Sequence, residues 1–210
     1  MLHYDKRRRT AGAPLVDAPP NRLSLQETPV MPSPFRPATE LMVQYAAYHR
    51  DRRNIATHFV GIPLIVFAIG IFMARAQFDV AQVHFTAAWA LWGLTTAWYL
   101  TRGNLVLGLA TSLVNGLLIW AAHTFAVGST GAWLACGFTT FITGWVLQFV
   151  GHYYEGRKPA FVDDLVGLLV GPMFIVGEAL FAAHLLRPLA QEIERRTGPT
   201  LIRDLAHPVA

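Results

Sequence analysis

Five apolar segments constrain the fold of this chain more than any other feature of its sequence. They lie at about 54–75, 85–100, 104–127, 131–151 and 161–186. A helix needs about 20 predominantly apolar residues to cross the hydrocarbon core of a bilayer. Only 14% of the 210 residues are charged and 53% are hydrophobic, whereas about a quarter of a typical soluble domain is charged. The sequence therefore predicts an all-α, polytopic integral membrane helical bundle with about five hydrophobic helices.

Polar segments flank the predicted membrane domain, which spans residues 39–186. Residues 1–38 are basic and rich in proline, so we expect a disordered tail without a signal peptide. Thr39 is expected to cap a short N-terminal helix that lies in the membrane interface. Residues 187–210 are polar and predict a short surface helix followed by a tail.

Basic residues predict the orientation in the membrane. The loops on one side contain Arg50, Arg52, Arg53, Arg102, Arg157 and Lys158, whereas those on the other side contain only Arg75. The excess marks the cytoplasmic side, in a bacterial inner membrane or, in a eukaryote, the endoplasmic reticulum. No basic stripe carries interleaved exposed aromatic residues, so nucleic acid is not an expected partner. The single cysteine, Cys136, excludes both a disulfide framework and a cysteine-based zinc site.

Ionisable residues interrupt the apolar sequence between Trp145 and Glu178. Such groups are costly at bilayer depth unless they are paired, coordinated to a metal or facing a wet cavity. Helical spacing places Gln148, His152 and Glu155 on one face of the fourth hydrophobic helix. This face predicts half of a metal site.

The topology brings a second set of histidines to the same cytoplasmic level. His49 and His58 lie at the start of the first hydrophobic helix. Nine residues correspond to about 180° on a continuous helix, so both can face one ion only if the helix is broken. We expect that break at Asp51–Asn54, with Asn54 as the helix cap. Histidines with carboxylates and few thiols suit Fe(II), Mn or Zn.

The remaining polar residues allow more than one interpretation. Glu155 could be a metal ligand, an acceptor that orients His152, or a partner of Arg157 or Lys158. Asn54, Gln148 and three carboxylates of the fifth segment (Asp163, Asp164 and Glu178) could line a polar seam or make packing hydrogen bonds. His84, His123 and His184 are interpreted as structural, and His3 and His207 as tail residues without a role.

Three groups of residues resemble one known membrane family. The first is Tyr48-His49, Asn54, His58, Gly61 and Pro63; the second is Gln148-Phe149-x-Gly151-His152-x-x-Glu155-x-x-x-Pro159-Ala160; the third is Pro172-x-Phe174-x-x-x-Glu178. This pattern resembles a family of iron-dependent 2-hydroxy fatty acid dioxygenases, characterised in yeast, that act in fatty acid α-oxidation at the endoplasmic reticulum. The resemblance covers residues 40–186.

The resemblance implies an Fe(II) enzyme that needs no 2-oxoglutarate, with essential histidines carried onto His49, His58 and His152. The implied reaction is oxidative decarboxylation of a 2-hydroxy fatty acid by O2, with membrane lipid as the surroundings. Arg52, Arg53, Arg157 or Lys158 could bind the substrate carboxylate, and Arg52 and Arg53 could instead anchor to lipid headgroups. Two other functions stay open: a zinc-dependent membrane lipid hydrolase, and a small transporter or helical scaffold without catalysis.

Overall fold

The computed structural model describes residues 34–80, 82–158 and 165–205. Within these residues the chain forms seven α-helices, a short β-hairpin and one 3-10 turn. The helices are α1 (Ala38–Ala46), α2 (Arg52–Ala74), α3 (Ala87–Leu100), α4 (Leu105–Ala122), α5 (Thr130–Glu155), α6 (Gly167–Ala182) and α7 (Arg187–Thr197). The predicted tail up to residue 33, Asp163, Asp164 and the histidines at positions 3 and 207 lie outside the described residues.

Three helices in the described part of the chain are long and apolar enough to cross a membrane. They are α2, α5, and α4 together with the 3-10 turn that extends it to Phe125. The predicted number of five crossings is not confirmed. Helix α3 has only 14 residues, and α6 meets α7 at an angle of 113°, so this bent pair adds at most a fourth span. The second and fifth apolar segments thus contain helices, α3 and α6, but neither helix is a straight span of about 20 residues.

The all-α prediction misses a β-hairpin between α2 and α3. Strand β1 (Gln77–Val80) pairs antiparallel with β2 (Val83–Thr86). The backbone of Ala87 then donates to Ala76 O across the base of the hairpin, at 2.8 Å. This pairing accounts for the polar interval between the first two hydrophobic segments.

Helix α1 is packed into the bundle rather than lying beside it. Six of its nine residues are buried, and it contacts α6 and α7. The helix begins after Pro37, not at the predicted cap Thr39. An ion pair of 2.6 Å between Glu40 and Arg196 joins α1 to α7. The apolar side of this helix is therefore covered by protein.

Helix α2 lies at the centre and packs most extensively against α5. The two helices run antiparallel, since Gly151 lies against Asn54 near the start of α2 and Gly137 lies against Phe72 near its end. Glycine permits this close approach, as it does between many membrane helices. A Cβ on Gly144 would lie 2.7 Å from Ile65 Cγ1 and 2.9 Å from Gly61 O.

Replacing Gly144 by alanine should therefore destabilise the protein, because one wall of this contact is backbone that cannot rotate away. We expect Gly144→Ala to lower the free energy of unfolding by about 1–3 kcal/mol. Thermal unfolding in detergent would measure the loss. Gly131→Ala on the same helix is the matched control, since its Cβ would meet nothing within 4 Å. Equal stability of the two variants would contradict the close packing of α2 against α5.

Candidate metal centre

Three buried histidines meet at the end of the bundle where α2 begins and α5 ends. His49 lies in the loop between α1 and α2, His58 on α2 and His152 in the last turn of α5. Their exposed fractions are 0%, 1% and 6%. One ring nitrogen from each lies within 4.8 Å of the other two, an arrangement that could hold a metal ion. Nitrogens bound at about 2.1 Å to one tetrahedral ion lie about 3.4 Å apart, so binding requires the nitrogens to move together by up to about 1.4 Å.

Hydrogen bonds fix the orientation of two of these rings. His49 Nδ1 lies 2.7 Å from Tyr45 O and His58 Nδ1 lies 2.9 Å from Asn54 O. A carbonyl oxygen only accepts, so each Nδ1 carries the proton and each Nε2 presents a lone pair. The two Nε2 atoms face each other at 3.1 Å. Two converging lone pairs repel unless a cation lies between them, and a backbone carbonyl bound to the other ring nitrogen is the usual support of a ligating histidine.

The loop that carries His49 provides the helix break that the spacing of His49 and His58 demands. Helix α1 ends at Ala46 and α2 begins at Arg52. A break between the two histidines is therefore present, but it lies at residues 47–51 rather than at Asp51–Asn54, and Asn54 is not the cap. Asp51 is the N-cap, and its side chain accepts from Arg53 N at 2.8 Å. Asn54 already lies inside α2, where its side chain makes a different contact, described below.

The environment of His49 favours the neutral imidazole that a metal needs. Its ring stacks on Tyr45, with centroids 4.1 Å apart and planes inclined by 4°. Burial lowers the pKa of His49 well below its usual range, and the neighbouring His58 lowers this pKa further. A metal can therefore bind this ring near neutral pH without first displacing a proton.

The carboxylate of Glu155 joins the ends of α2 and α5. Its side chain is 0% exposed, and Oε2 accepts from Arg50 N at 2.9 Å, Asp51 N at 2.8 Å and Asn54 Nδ2 at 3.1 Å. Oε1 accepts from Arg203 Nη2 at 2.9 Å. Glu155 thus caps the start of α2 from a neighbouring helix and fixes the backbone directly after His49. It does so one turn away from His152 on its own helix.

The C-terminal segment contributes contacts that the sequence patterns did not indicate. Leu201 pairs with the backbone around Asp51, and Arg203 N donates to Asp51 Oδ2 at 2.8 Å. Burial opposes ionisation of Asp51, but the hydrogen bonds from Arg53 and Arg203 outweigh it and bring the pKa of this carboxyl to about 2. These residues follow a polar helix, and their proximity to Glu155 is a long-range contact without a periodic signal in the sequence.

A cavity of about 220 Å³ opens beside the histidines. His58 and His152 line one end together with Gln148 and Tyr45, and the rest of the lining is formed by apolar residues of α2, α5 and α6. Gln148 is 5% exposed, and its Nε2 has no hydrogen-bond partner among the described residues. The cavity therefore joins a polar end, where a metal could bind, to an apolar interior.

The structure brings some of the other predicted residues to this site and not others. Asn54 and Gln148 lie in it, as described above. Glu178 is half-buried on α6. Burial lowers the pKa of Arg50 below its usual value, and the nearby charge of Glu178 partly offsets this lowering. His123 lies beyond the far end of α4, where its Nε2 forms a hydrogen bond of 3.0 Å with Thr86 Oγ1. His84 pairs with Asp79 on the exposed hairpin.

The four basic residues predicted to meet a carboxylate or headgroups lie around the same end of the bundle: Arg52, Arg53, Arg157 and Lys158. None is among the residues that line the cavity in the described part of the chain. Arg53 pairs with Asp51 at 2.8 Å, and Arg157 donates to Ala47 O at 3.0 Å. Arg52 and Lys158 are exposed.

Comparisons with known proteins match this chain over its helical region. Residues 35–183 match the family described as 2-hydroxy-palmitic acid dioxygenase Mpo1-like. The chain is also similar to the 2-hydroxy-palmitic acid dioxygenase MPO1 of Saccharomyces cerevisiae, with 28% identity over 153 residues. That alignment covers 71% of this chain and 83% of the yeast protein. No solved structure matches.

Proposed function

The chain belongs to the 2-hydroxy-palmitic acid dioxygenase Mpo1-like family, and from this premise we propose that it is a membrane-bound, Fe(II)-dependent 2-hydroxy fatty acid dioxygenase. The proposed reaction converts a 2-hydroxy fatty acid and O2 into a fatty acid one carbon shorter, CO2 and water. The substrate loses four electrons in this reaction, which are the four that reduce O2 to the oxidation level of water. No 2-oxoglutarate or other reductant is therefore required.

The observation that carries the proposal is the pair of Nε2 atoms of His49 and His58, which face each other at 3.1 Å beside His152 while both Nδ1 atoms lie against backbone carbonyls. Three histidine ligands leave open positions on an iron ion. Bound Fe(II) would act as a Lewis acid and template for the carboxylate and hydroxyl groups of the substrate and would activate O2. His49, His58 and His152 are the proposed ligands.

Other residues of the chain position these ligands and shape their surroundings. Tyr45 O and Asn54 O hold the protons on the Nδ1 atoms, so that the Nε2 atoms of His49 and His58 stay available. We assign Glu155 a positioning role, because it fixes the backbone after His49 and shares the last turn of α5 with His152. The apolar cavity next to the histidines limits access of water to the reacting end of a substrate.

The location of the site fits a reaction at one membrane surface. The histidines lie near the first residues of α2 and the last residues of α5, two of the candidate spans. Arg52, Arg53, Arg157 and Lys158 lie at this same end, which supports a cytoplasmic location of the site under the positive-inside rule. The membrane would be a bacterial inner membrane, or the endoplasmic reticulum in a eukaryote.

Incubation of the detergent-purified protein with 2-hydroxypalmitate, in air and without oxygen, tests this function. We expect pentadecanoate and CO2 in air and no product under anaerobic conditions, with ¹⁸O from ¹⁸O2 appearing in pentadecanoate. Formation of pentadecanoate without oxygen would contradict the proposal, because this four-electron oxidation would then need another oxidant. Oxygen-independent hydrolysis of a lipid by the zinc-loaded protein would instead favour a zinc-dependent hydrolase. No conversion of any 2-hydroxy acid by iron-loaded protein would also contradict it and would leave a transporter or scaffold.

A further inference from the structure

We propose that the cavity beside the histidines is a groove for the acyl chain of the substrate, and that Ile69 and Phe141 at its far end determine chain length. This inference rests on the proposed function and adds a binding site to it. The acyl chain would extend along a groove in the protein rather than remain among the membrane lipids.

The lining of the cavity changes from polar to apolar along its length. The polar residues are Tyr45, His58, Gln148 and His152, and they gather at the end where the histidines lie. Beyond them the walls are aliphatic and aromatic, with Ile62, Ile65, Val66, Ile69, Phe141 and Trp145. A 2-hydroxy fatty acid has the same asymmetry, since its carboxylate and hydroxyl occupy one end of an otherwise apolar chain.

The two helices that form the cavity give its length. Ile69 follows His58 by eleven residues on α2, and Phe141 precedes His152 by eleven residues on the antiparallel α5. Eleven residues of helix correspond to about 16 Å. An extended alkyl chain advances by about 1.25 Å per carbon, from C–C bonds of about 1.5 Å at angles near 111°. The length of the groove therefore corresponds to about 13 carbons of an extended chain beyond the head of the substrate.

Aromatic side chains close the far end. Phe72 lies next to Phe141, with ring centroids 6.4 Å apart, and contacts Phe138 at 5.1 Å and Trp133 at 6.0 Å. Phe72 in turn packs directly on Gly137 of α5. This cluster fills the space between α2 and α5 beyond Ile69, so a longer chain would have to displace it.

The side of the groove gives access from the membrane. Helix α2 packs against both α5 and α6, whereas α5 and α6 make few contacts with each other in the described residues. Leu168 of α6 lines the cavity and is 48% exposed, which places it at the opening between these two helices. A single-chain amphiphile could therefore enter sideways from the bilayer, with its polar head moving towards the histidines.

Measuring kcat/KM for 2-hydroxy acids of increasing chain length, with the full-length, iron-loaded protein, tests the groove. We expect Ile69→Trp to lower kcat/KM for 2-hydroxypalmitate at least about tenfold while short-chain acids retain wild-type values. Ile69→Ala opens the same end and should shift the preference towards longer chains. Ile142→Trp is the matched control, because Ile142 neighbours Phe141 on α5 but is 57% exposed. It should leave the profile unchanged.

Two results would overturn the inference while leaving the proposed function intact. One is an equal loss of kcat/KM for all chain lengths in folded Ile69→Trp. The other is a change in chain-length preference in Ile142→Trp that equals the change in Ile69→Trp. If the wild-type protein converts no 2-hydroxy acid, the proposed function fails, and thermal unfolding with unreactive saturated fatty acids then decides on the groove. Stabilisation that grows with chain length in the wild type but not in Ile69→Trp would support the groove, and equal stabilisation of both would overturn it.

Discussion

His58→Ala and His152→Ala should each abolish turnover of 2-hydroxypalmitate while the protein stays folded in the membrane. We expect a loss of more than about 100-fold, since even removal of an outer partner of a metal ligand costs about 10–100-fold in affinity or activity. Each variant also removes one lone pair from a site that holds the nitrogens of three histidines within 4.8 Å. Iron content should therefore fall together with activity.

An exposed histidine provides the control for this prediction. His84 lies on the hairpin with 84% of its side chain exposed, paired with Asp79. His84→Ala should keep both iron and turnover. Wild-type rates in His58→Ala or His152→Ala would remove these residues from the site. A loss of activity with unchanged iron content would give them another role than that of ligands.

Glu155→Ala should cause the largest loss of stability among the substitutions considered. It leaves Arg50 N and Asp51 N without their acceptor and separates Arg203 from its buried partner. Removing one member of a buried ionic network costs about 3–5 kcal/mol, a large part of the about 5–15 kcal/mol that stabilises a typical domain. Thermal unfolding in detergent would measure this effect. Glu192→Ala should change little, because Glu192 and Arg195 form a solvent-exposed pair on α7.

Glu155→Gln distinguishes a positioning role from a role as metal ligand. Glutamine retains one acceptor oxygen for the backbone N–H groups, so it should restore part of the stability, the iron content and the activity. A ligand role predicts the opposite combination: normal stability with iron and activity as low as in Glu155→Ala. Stability of Glu155→Ala equal to that of the wild type would contradict the account of α2 and α5 given above.

Local spacing carried much of the information about the candidate site. His49 and His58 are nine residues apart and cannot share an ion on one continuous helix. Their spacing therefore predicts a break in the helix if both bind the same ion. The cap was misassigned because Asn54 and Asp51 are both good N-cap residues. Asp51 is the cap, and the amide of Asn54 instead donates to Glu155.

Long-range contacts and helix lengths were less accessible from the sequence. Arg203 meets Glu155 across 48 residues of chain, and neither hydropathy nor periodicity encodes such a pair. Hydropathy located α3 and α6, but it did not fix the number of spans, because α3 has only 14 residues and α6 meets α7 at an angle of 113°. Aromatic and basic residues at one end of α1 predicted an interfacial helix, but α6 and α7 pack against it.

The metal content of purified wild-type protein, measured before and after anaerobic loading with Fe(II), tests the central claim most directly. That claim is that three buried histidines form a centre for one iron ion. The account predicts about one iron per chain in the wild type, with O2-dependent product formation in proportion to bound iron. Bound zinc with oxygen-independent activity would contradict the choice of metal. The absence of any bound metal after loading would contradict the site itself and leave the three histidines with a structural role.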